Sequence, residues 1–310
     1  DVILPLALAF IMFVLGLSRQ QPGASHEMIE KEGSDRLKGQ VNSLSWSGPI
    51  KAIINPLANF YHVSMEIIGL ISVALQASTL LLNQRRRQLF FSLFQRQVYN
   101  AGVAAIYING IIGILIGTLL ISRLFDYLPR QIIEDQFGQI FMVVVFRELG
   151  PLISGIILIA RSATAITAEI GYLRLQREFQ VLNGLGINPV FLFLLPVFFA
   201  FPVSLFLMFI YFDVIVYLSS FTIVWLSDPS ISFTGLLTSI LSQITLNEIA
   251  INAVKAILGG MLIGIISIYF GAKVEDSFTE VTEAISKATT AQLLVFFIIN
   301  VLLSLLAYTQ

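Results

Sequence analysis

The chain of 310 residues contains 56% apolar residues and 12% charged residues, and its formal net charge is −1. A soluble domain has about 25% charged residues, so this composition, together with apolar runs of about 20 residues, indicates an integral membrane protein. The small net charge gives no indication of nucleic-acid binding. The absence of cysteine excludes disulfides, zinc–thiolate centres and cysteine nucleophiles.

Residues 1–49 are predicted to be an N-terminal extension, to which the sequence assigns no role. Val2 to Leu17 is apolar, but 16 residues of helix measure only about 24 Å, less than the ~30 Å hydrocarbon core. This segment fits a short span, an interfacial helix or the h-region of a targeting signal, although no basic n-region precedes it. Ser18 to Ser47 is polar and typical of a linker outside the membrane.

Residues 50–99 are predicted to lie at the membrane surface. From Ile50 to Leu82, apolar residues alternate with polar ones, which is typical of an amphipathic interfacial helix, with a break near Pro56. A basic segment with interspersed phenylalanines follows, and this combination is typical of the cytoplasmic edge of a membrane. Its arginines are Arg85, Arg86, Arg87 and Arg96.

Residues 100–310 are predicted to form an all-α transmembrane domain. Five apolar segments are long enough to cross a bilayer, and the third is too long for one simple span. The segments are 100–122, 138–166, 190–225, 249–271 and 290–309. The connections between them are 123–137, 171–188, 226–248, which includes Glu248, and 272–289.

The distribution of basic residues predicts the orientation of these segments. If 83–99, 171–188 and 272–289 are cytoplasmic, eight bases lie inside and two lie outside, as the positive-inside rule requires. The C-terminus then lies outside. The inside bases are Arg85, Arg86, Arg87, Arg96, Arg174, Arg177, Lys273 and Lys287, and the outside bases are Arg123 and Arg130.

The sequence contains no recognisable catalytic motif. G-x-S-x-G, H-E-x-x-H and the phosphate-binding G-x-x-x-x-G-K-[ST] are all missing. The two histidines, His26 and His62, lie outside any cluster with metal-ligand spacing. We therefore expect no metal or cofactor in this chain and no catalytic residue. Any use of ATP would depend on another polypeptide.

Arg147 and Glu148 are the most prominent charges within the apolar segments. They follow the apolar run Ile140 to Phe146, so they lie at membrane depth or beside a water-filled cavity. Charged side chains at that depth are costly and are candidates for function. An arginine can hold a phosphate through two parallel hydrogen bonds, whereas an ion pair within or between helices would be structural. Both interpretations stay open and are compatible.

Three further charges fall within or beside apolar segments. Arg161 and Glu169 are eight residues apart, so they share a helix face, and the small residues between them favour helix packing near the cytoplasmic end. Asp213 is alone in a long apolar stretch. We expect Asp213 to face the interior of the bundle, with ion coupling as the alternative.

The segment from Tyr172 to Asn188 mixes polar and apolar residues between two apolar segments. It ends at Gly184, Gly186 and Pro189, as the chemistry of helix C-termini predicts. A helix here can rest on the membrane and present a surface to a soluble partner, which would allow the partner to push on it. The alternative is an ordinary interfacial helix.

Several strings of the chain carry a family resemblance in order and spacing. They are RQVYNAGV (96–103), ILIGTLL (114–120), RELGPLISGIILIARSATAITAEIG (147–171), LGINP (185–189) and AISKATT (284–290). With these strings the chain resembles, over about 96–310, the MlaE/YrbE-type permeases of lipid-transporting ABC systems. Those permeases work with MCE-domain proteins, and a plastid relative serves lipid import at the envelope.

The resemblance implies a homodimeric permease with an interfacial helix within 50–82 followed by five membrane helices. It implies a cytoplasmic ABC ATPase dimer that binds ATP and magnesium, and an MCE-domain oligomer on the far side of the membrane. The ATPase would dock on a coupling helix at 172–187. The implied location is the bacterial inner membrane, with the plastid inner envelope as the alternative.

The resemblance also implies roles for particular residues. The lipid pocket at the dimer axis would be formed by Leu120, Tyr127, Leu128, Gln131, Arg147 and Leu149, with Glu148, Arg161 and Glu169 as supporting charges. The coupling helix would use Arg174, Arg177, Glu178, Leu182, Gly186, Asn188 and Pro189.

The chain departs from the family pattern at three places. Arg177 and Glu178 replace an acidic residue followed by glutamine, and Asn188 replaces the aspartate of an Asp-Pro pair. The glycine pair that is common after Asp213 is missing. These departures concern the details of the ATPase contact rather than the fold.

The functional hypothesis is a permease subunit that moves phospholipid or a related lipid between the membrane and an MCE-domain partner, driven by a separate ATPase. One alternative is an ion-coupled secondary transporter with Asp213 or Glu148 as the coupling acid. Another is a membrane scaffold that does not transport. A lipid-modifying enzyme would need a nucleophile or metal set that the sequence lacks.

Overall fold

The computed structural model describes residue 63 and residues 65–82, 84–127, 137–227, 232–275 and 277–308. The chain divides into two compact units, Asp1–Gly69 and Leu70–Gln310. The N-terminal extension and the predicted break near Pro56 lie outside the described residues. The described part of the predicted interfacial helix contains a short apolar helix, Met65–Ser78.

Five helices in the described residues are long and apolar enough to cross a membrane, which confirms the predicted all-α class. Numbered as spans 1 to 5, they are Arg86–Leu124, Phe137–Leu175, Val190–Ser227, Leu246–Ala272 and Phe278–Ala307. Two shorter helices connect them, Glu178–Gly184 between spans 2 and 3 and Phe233–Gln243 between spans 3 and 4.

The helices are longer than the apolar segments that identify them. The basic segment before residue 100 is the helix Gln84–Ala101, and span 5 begins at Phe278 rather than at residue 290. Span 2 has 39 residues, or about 58 Å of helix, nearly twice the hydrocarbon thickness. Hydropathy marks only the apolar part of each helix, whereas polar residues continue the same backbone beyond it.

Span 1 is interrupted at Gly102. The helix Gln84–Ala101 ends there, a 3₁₀ turn covers Val103–Ala105, and the helix Ile106–Tyr127 follows. Side chains of span 2 donate hydrogen bonds to the carbonyl groups that lack a helical donor at this break. Arg161 Nη1 donates to Asn100 O at 2.9 Å, and the Ser162 hydroxyl donates to the carbonyl of Ala101 at 2.8 Å.

Span 2 contains two π-helical segments within an otherwise α-helical span. They are Phe141–Leu149 and Leu158–Ala163. The wider π turn changes the direction of the side chains that follow, and such segments are frequent at functional sites. Arg147 and Glu148 lie in the first segment and Arg161 lies in the second.

Span 3 packs against spans 1, 2 and 4 and forms the centre of the bundle. Glycines on its neighbours allow close approach. A Cβ atom on Gly117 of span 1 would lie 2.5 Å from the carbonyl oxygen of Val216, and a Cβ atom on Gly260 of span 4 would lie 2.6 Å from the Pro202 backbone. Small residues of this kind let transmembrane helices pack without a hydrophobic driving force.

We predict that Gly260→Ala destabilises the bundle by about 1–3 kcal/mol, because the added methyl group meets backbone rather than a flexible side chain. Thermal unfolding of the detergent-purified chain measures the change. Gly184→Ala is the matched control, since nothing lies within 4 Å of a Cβ atom there. Equal unfolding temperatures for the two variants would contradict the predicted close contact between Gly260 and the Pro202 backbone.

Candidate functional site

Four charged side chains from two spans meet inside the bundle. Arg147 Nη2 in span 2 donates to Glu248 Oε1 in span 4. Lys255 Nζ in span 4 lies 3.8 Å from Glu148 Oε1 in span 2. The side chains of Glu248 and Lys255 are only 8% and 2% exposed. We call these four residues the charge cluster, and their formal charges cancel.

The backbone of span 2 explains why span 4 supplies polar side chains here. Gly150 N–H donates to Val145 O at the end of the π segment, and Pro151 has no N–H group. Phe146 O and Arg147 O therefore both lack their usual helical donors. Asn252 Nδ2 donates to Phe146 O at 3.0 Å, and Lys255 Nζ donates to Arg147 O at 2.7 Å. Spans 2 and 4 are therefore joined both by hydrogen bonds to backbone carbonyl groups and by ion pairs.

The polar residues of span 4 share one face of the helix. Glu248, Asn252 and Lys255 are separated by four and three residues, so they lie above one another. Lys255 Nζ also donates to Ser304 Oγ of span 5 at 2.7 Å. Three spans consequently meet at the charge cluster, in which Glu248 and Lys255 are buried and Arg147 and Glu148 are partly exposed.

The prediction that placed Glu248 in the connection 226–248 is wrong. Glu248 is the third residue of span 4 and is buried. The Thr245 hydroxyl accepts a hydrogen bond from the Glu248 N–H at the start of the helix. Thr245 and Glu248 have the spacing of a capping box, and this signal in the sequence marks the helix start that hydropathy missed.

The predicted lipid-binding residues are placed only in part. Leu120 is half-buried against the apolar core formed by spans 1 to 3 and the helix Phe233–Gln243. Leu149 is half-buried at the end of the first π segment. Tyr127 ends its helix. Leu128 and Gln131 lie outside the described residues. The complete predicted pocket stays a prediction.

Arg161 and Glu169 do not reach the charge cluster. Arg161 follows Arg147 by 14 residues, about 21 Å along the helix. With Gln97 and Asn100, the two residues line a cavity of about 290 Å³ between the first helix of span 1 and span 2. The hydrogen bond from Arg161 to Asn100 O gives Arg161 a structural role at the break in span 1.

Asp213 faces the interior of the bundle, as expected. Its side chain is buried, and a Cβ atom on Gly150 would lie 2.6 Å from its Oδ1 atom. Neither carboxylate oxygen has a hydrogen-bond partner among the described residues. Asp213 thus lies directly behind the turn that carries Arg147 and Glu148.

The predicted coupling helix is shorter than 172–187. Span 2 continues to Leu175, a turn follows, and a separate helix covers Glu178–Gly184. Arg177 adopts a left-handed conformation with φ 58° and makes this turn. Gly186, with φ 73°, ends the second helix, and Ile187 N donates to Leu182 O at 2.9 Å.

The other residues of this connection are mostly exposed. Asn188 Oδ1 accepts a hydrogen bond from the N–H of Val190 at 2.9 Å, and Pro189 precedes span 3 directly. Two large apolar side chains, Val181 and Leu185, are more than half exposed. Arg174, Glu178 and Gly186 are also exposed, so the connection presents a mixed polar and apolar surface.

These features define a membrane protein with several α-helical spans and a charge-compensated interior. Residues 94–306 match the family model described as Permease MlaE, and the chain belongs to this family of ABC transporter permeases. The resemblance to MlaE/YrbE-type permeases is thereby confirmed.

Curated relatives agree with this assignment. A probable ABC transporter permease protein of Rickettsia typhi is 24% identical over 71% of the chain and 85% of its own length. The intermembrane phospholipid transport system permease protein MlaE of Haemophilus influenzae is 28% identical over 37% of the chain. The match spans 44% of the Haemophilus protein. These bacterial relatives support a transmembrane subunit in a bacterial membrane.

We predict that Arg147→Met destabilises the chain by about 3–5 kcal/mol, because buried Glu248 loses its paired cation. The double variant Arg147→Met/Glu248→Leu recovers much of this loss. Thermal unfolding in detergent measures both. Arg123→Met is the matched control, since its pair with Asp126 is 3.6 Å long and more than half exposed. The single variant Glu248→Leu completes the comparison, and a double-variant effect equal to the sum of the two single effects would contradict the coupling.

Proposed function

We propose that this permease moves phospholipid, or a related lipid, between a bacterial inner membrane and an MCE-domain partner. The observation that carries the proposal is the charge cluster, because it holds within a membrane span an arginine whose side chain is 28% exposed. Arginine binds phosphate through two parallel hydrogen bonds. The name of the Haemophilus relative, which refers to intermembrane phospholipid transport, supports the choice of cargo.

A lipid requires both a polar and an apolar contact surface. We propose that Arg147 holds the phosphate, with Glu148 nearby, and that Leu120 and Leu149 contact the acyl chains together with Tyr127, Leu128 and Gln131. Extraction of a lipid exposes its chains to water at about 0.8 kcal/mol per CH₂ group. Spontaneous extraction is therefore slow, and transport needs an external source of energy.

A separate ATPase is the proposed energy source, because the chain has no phosphate-binding loop. ATP and magnesium would bind to that partner. Its contact surface on this chain would be the short helix Glu178–Gly184 with its flanking residues, since Val181 and Leu185 expose apolar area there. A homodimer of the permease would place two such helices opposite an ATPase dimer.

Ion-coupled transport is the second candidate function. The observation that favours it is Asp213, a buried carboxyl group whose oxygens have no hydrogen-bond partner among the described residues. Lipid transfer in proteoliposomes that contain the permease alone, driven by a proton gradient without ATP, would support this candidate. Strict dependence on ATP and a second protein would exclude it.

We predict that Arg147→Glu lowers ATP-driven lipid transfer by the reconstituted complex by about tenfold or more, because a charge-assisted contact to phosphate becomes a repulsion. Transfer of a fluorescent phospholipid between vesicles measures the effect. Arg147→Lys keeps the charge and part of the activity. Arg123→Glu is the control for a charge reversal at an exposed arginine. Lipid transfer at the wild-type rate by Arg147→Glu would contradict the proposed contact between Arg147 and the lipid phosphate.

We predict that Leu185→Asp weakens copurification of the ATPase and reduces its lipid-stimulated activity, because a charge enters the apolar part of the contact. Leu226→Asp is the matched control, since Leu226 is 68% exposed and Leu185 is 69% exposed, but Leu226 lies at the opposite end of span 3. Equal loss of the ATPase from both variants would argue against a specific contact at Leu185.

A further inference from the structure

The cavity of about 290 Å³ between the first helix of span 1 and span 2 lies apart from the charge cluster. Arg161 and Glu169 line it from span 2, and Gln97 and Asn100 line it from span 1. Arg161 follows Arg147 by 14 residues, about 21 Å of helix. In the orientation predicted from the basic residues, this cavity therefore lies toward the cytoplasmic leaflet. We call it the Arg161 cavity.

Only one nitrogen of the Arg161 guanidinium is used in contacts within the described residues. Its hydrogen bonds to Asn100 O at 2.9 Å and to Ser162 Oγ at 3.4 Å both come from Nη1. Nη2 and Nε form the other edge of the guanidinium, and the N–H groups of such an edge match two oxygens of a phosphate. This edge can therefore receive a phosphate while Nη1 keeps its contact at the break in span 1.

The rest of the Arg161 cavity offers hydrogen-bond acceptors. Gln97 Oε1 is buried and has no hydrogen-bond partner among the described residues. Glu169 is exposed, and no ion pair joins it to another described residue. Arg161 and Glu169 are eight residues apart, about 12 Å along the helix. Two opposite charges thus line one cavity without neutralising each other, and an unsatisfied amide oxygen lines it with them.

We propose that the Arg161 cavity binds the headgroup of a phospholipid of the cytoplasmic leaflet in which a phosphate is joined to a primary ammonium group. The phosphate binds to the second edge of Arg161. The ammonium donates to Gln97 Oε1 and to the Glu169 carboxylate. At about 30 Å³ per water molecule, the cavity has room for about ten non-hydrogen atoms of a polar ligand, enough for phosphoethanolamine.

Other common headgroups satisfy this cavity less well. A trimethylammonium group carries the positive charge but has no N–H donor for Gln97 Oε1. A headgroup with only negative charge places no cation beside Glu169. We therefore expect phosphatidylethanolamine to bind more tightly than phosphatidylcholine or phosphatidylglycerol.

This inference rests on the proposed lipid transport, to which it adds a second headgroup site on span 2. Ala165 lines the cavity between the levels of Arg161 and Glu169, and its side chain is small and exposed. The cavity is consequently open on the side where a lipid can approach. A lipid held there would enter or leave the transport path at the leaflet opposite the charge cluster.

Photocrosslinking to the full chain in nanodiscs tests the proposal. The probe is a phosphatidylethanolamine with a photoreactive group near the glycerol end of one acyl chain, and mass spectrometry identifies the labelled peptides. We expect labelling around Gln97 and Ala165. Unlabelled phosphatidylethanolamine should compete about tenfold better than phosphatidylcholine or phosphatidylglycerol with identical acyl chains. Ala165→Leu should prevent the labelling, because the larger side chain fills the cavity.

Variants of Glu169 test the selectivity without touching the contacts of Arg161. Glu169→Gln should abolish the preference for phosphatidylethanolamine, and Glu169→Asp should keep part of it. Glu283→Gln is the matched control, since Glu283 forms an exposed pair with Lys287 in span 5. The competition among the three lipids in the wild type remains a test even where a variant does not fold.

The outcomes separate this inference from the function on which it rests. Absence of labelling around Gln97 and Ala165, equal competition by the three lipids, or an unchanged preference in Glu169→Gln overturns the inference and leaves lipid transport intact. Labelling of the cavity without ATP-driven lipid transfer would contradict the proposed function and leave the site intact. Water-soluble phosphoethanolamine should not compete at matched concentration, and competition by it would overturn the assignment to a lipid.

Discussion

The organisation of this permease depends on the hydrogen bonds that span 4 donates to the backbone of span 2. The end of the π segment and Pro151 together leave Phe146 O and Arg147 O without helical donors, and Asn252 and Lys255 supply donors from the neighbouring helix. In an apolar environment an unsatisfied carbonyl is costly, so these contacts fix the register of the two spans. The ion pair of Arg147 follows from that register. The structural role and the proposed lipid-binding role therefore involve the same few side chains.

Hydropathy predicted the five spans because each contains a window of apolar residues long enough for a bilayer. It did not predict where the helices end, since spans 2 and 5 continue as helix through polar residues outside that window. The capping pair Thr245 and Glu248 shows that local chemistry can correct such an error. A combined use of hydropathy and capping signals would have placed the start of span 4 correctly.

The sequence predicted two of the four residues of the charge cluster. Arg147 and Glu148 were recognisable because charges in an apolar run are costly. Their partners Glu248 and Lys255 were not, because the pairing joins residues about 100 positions apart and depends on helix packing. The π turn is equally hidden, although Pro151 indicates that normal α-helical bonding fails nearby. Residues that no motif links thus complete the site, and only the packed bundle shows that the charges balance.

The continuity of span 2 has a mechanical consequence. Leu175, beside the short connecting helix, and Arg147, in the charge cluster, belong to one unbroken helix. They are 28 residues apart, so a tilt of about 5° about one end displaces the other by roughly 4 Å. Such a displacement exceeds the length of a hydrogen bond. A modest rotation at the membrane surface is geometrically sufficient to separate a guanidinium from its carboxylate, with no need for the intervening backbone to unfold.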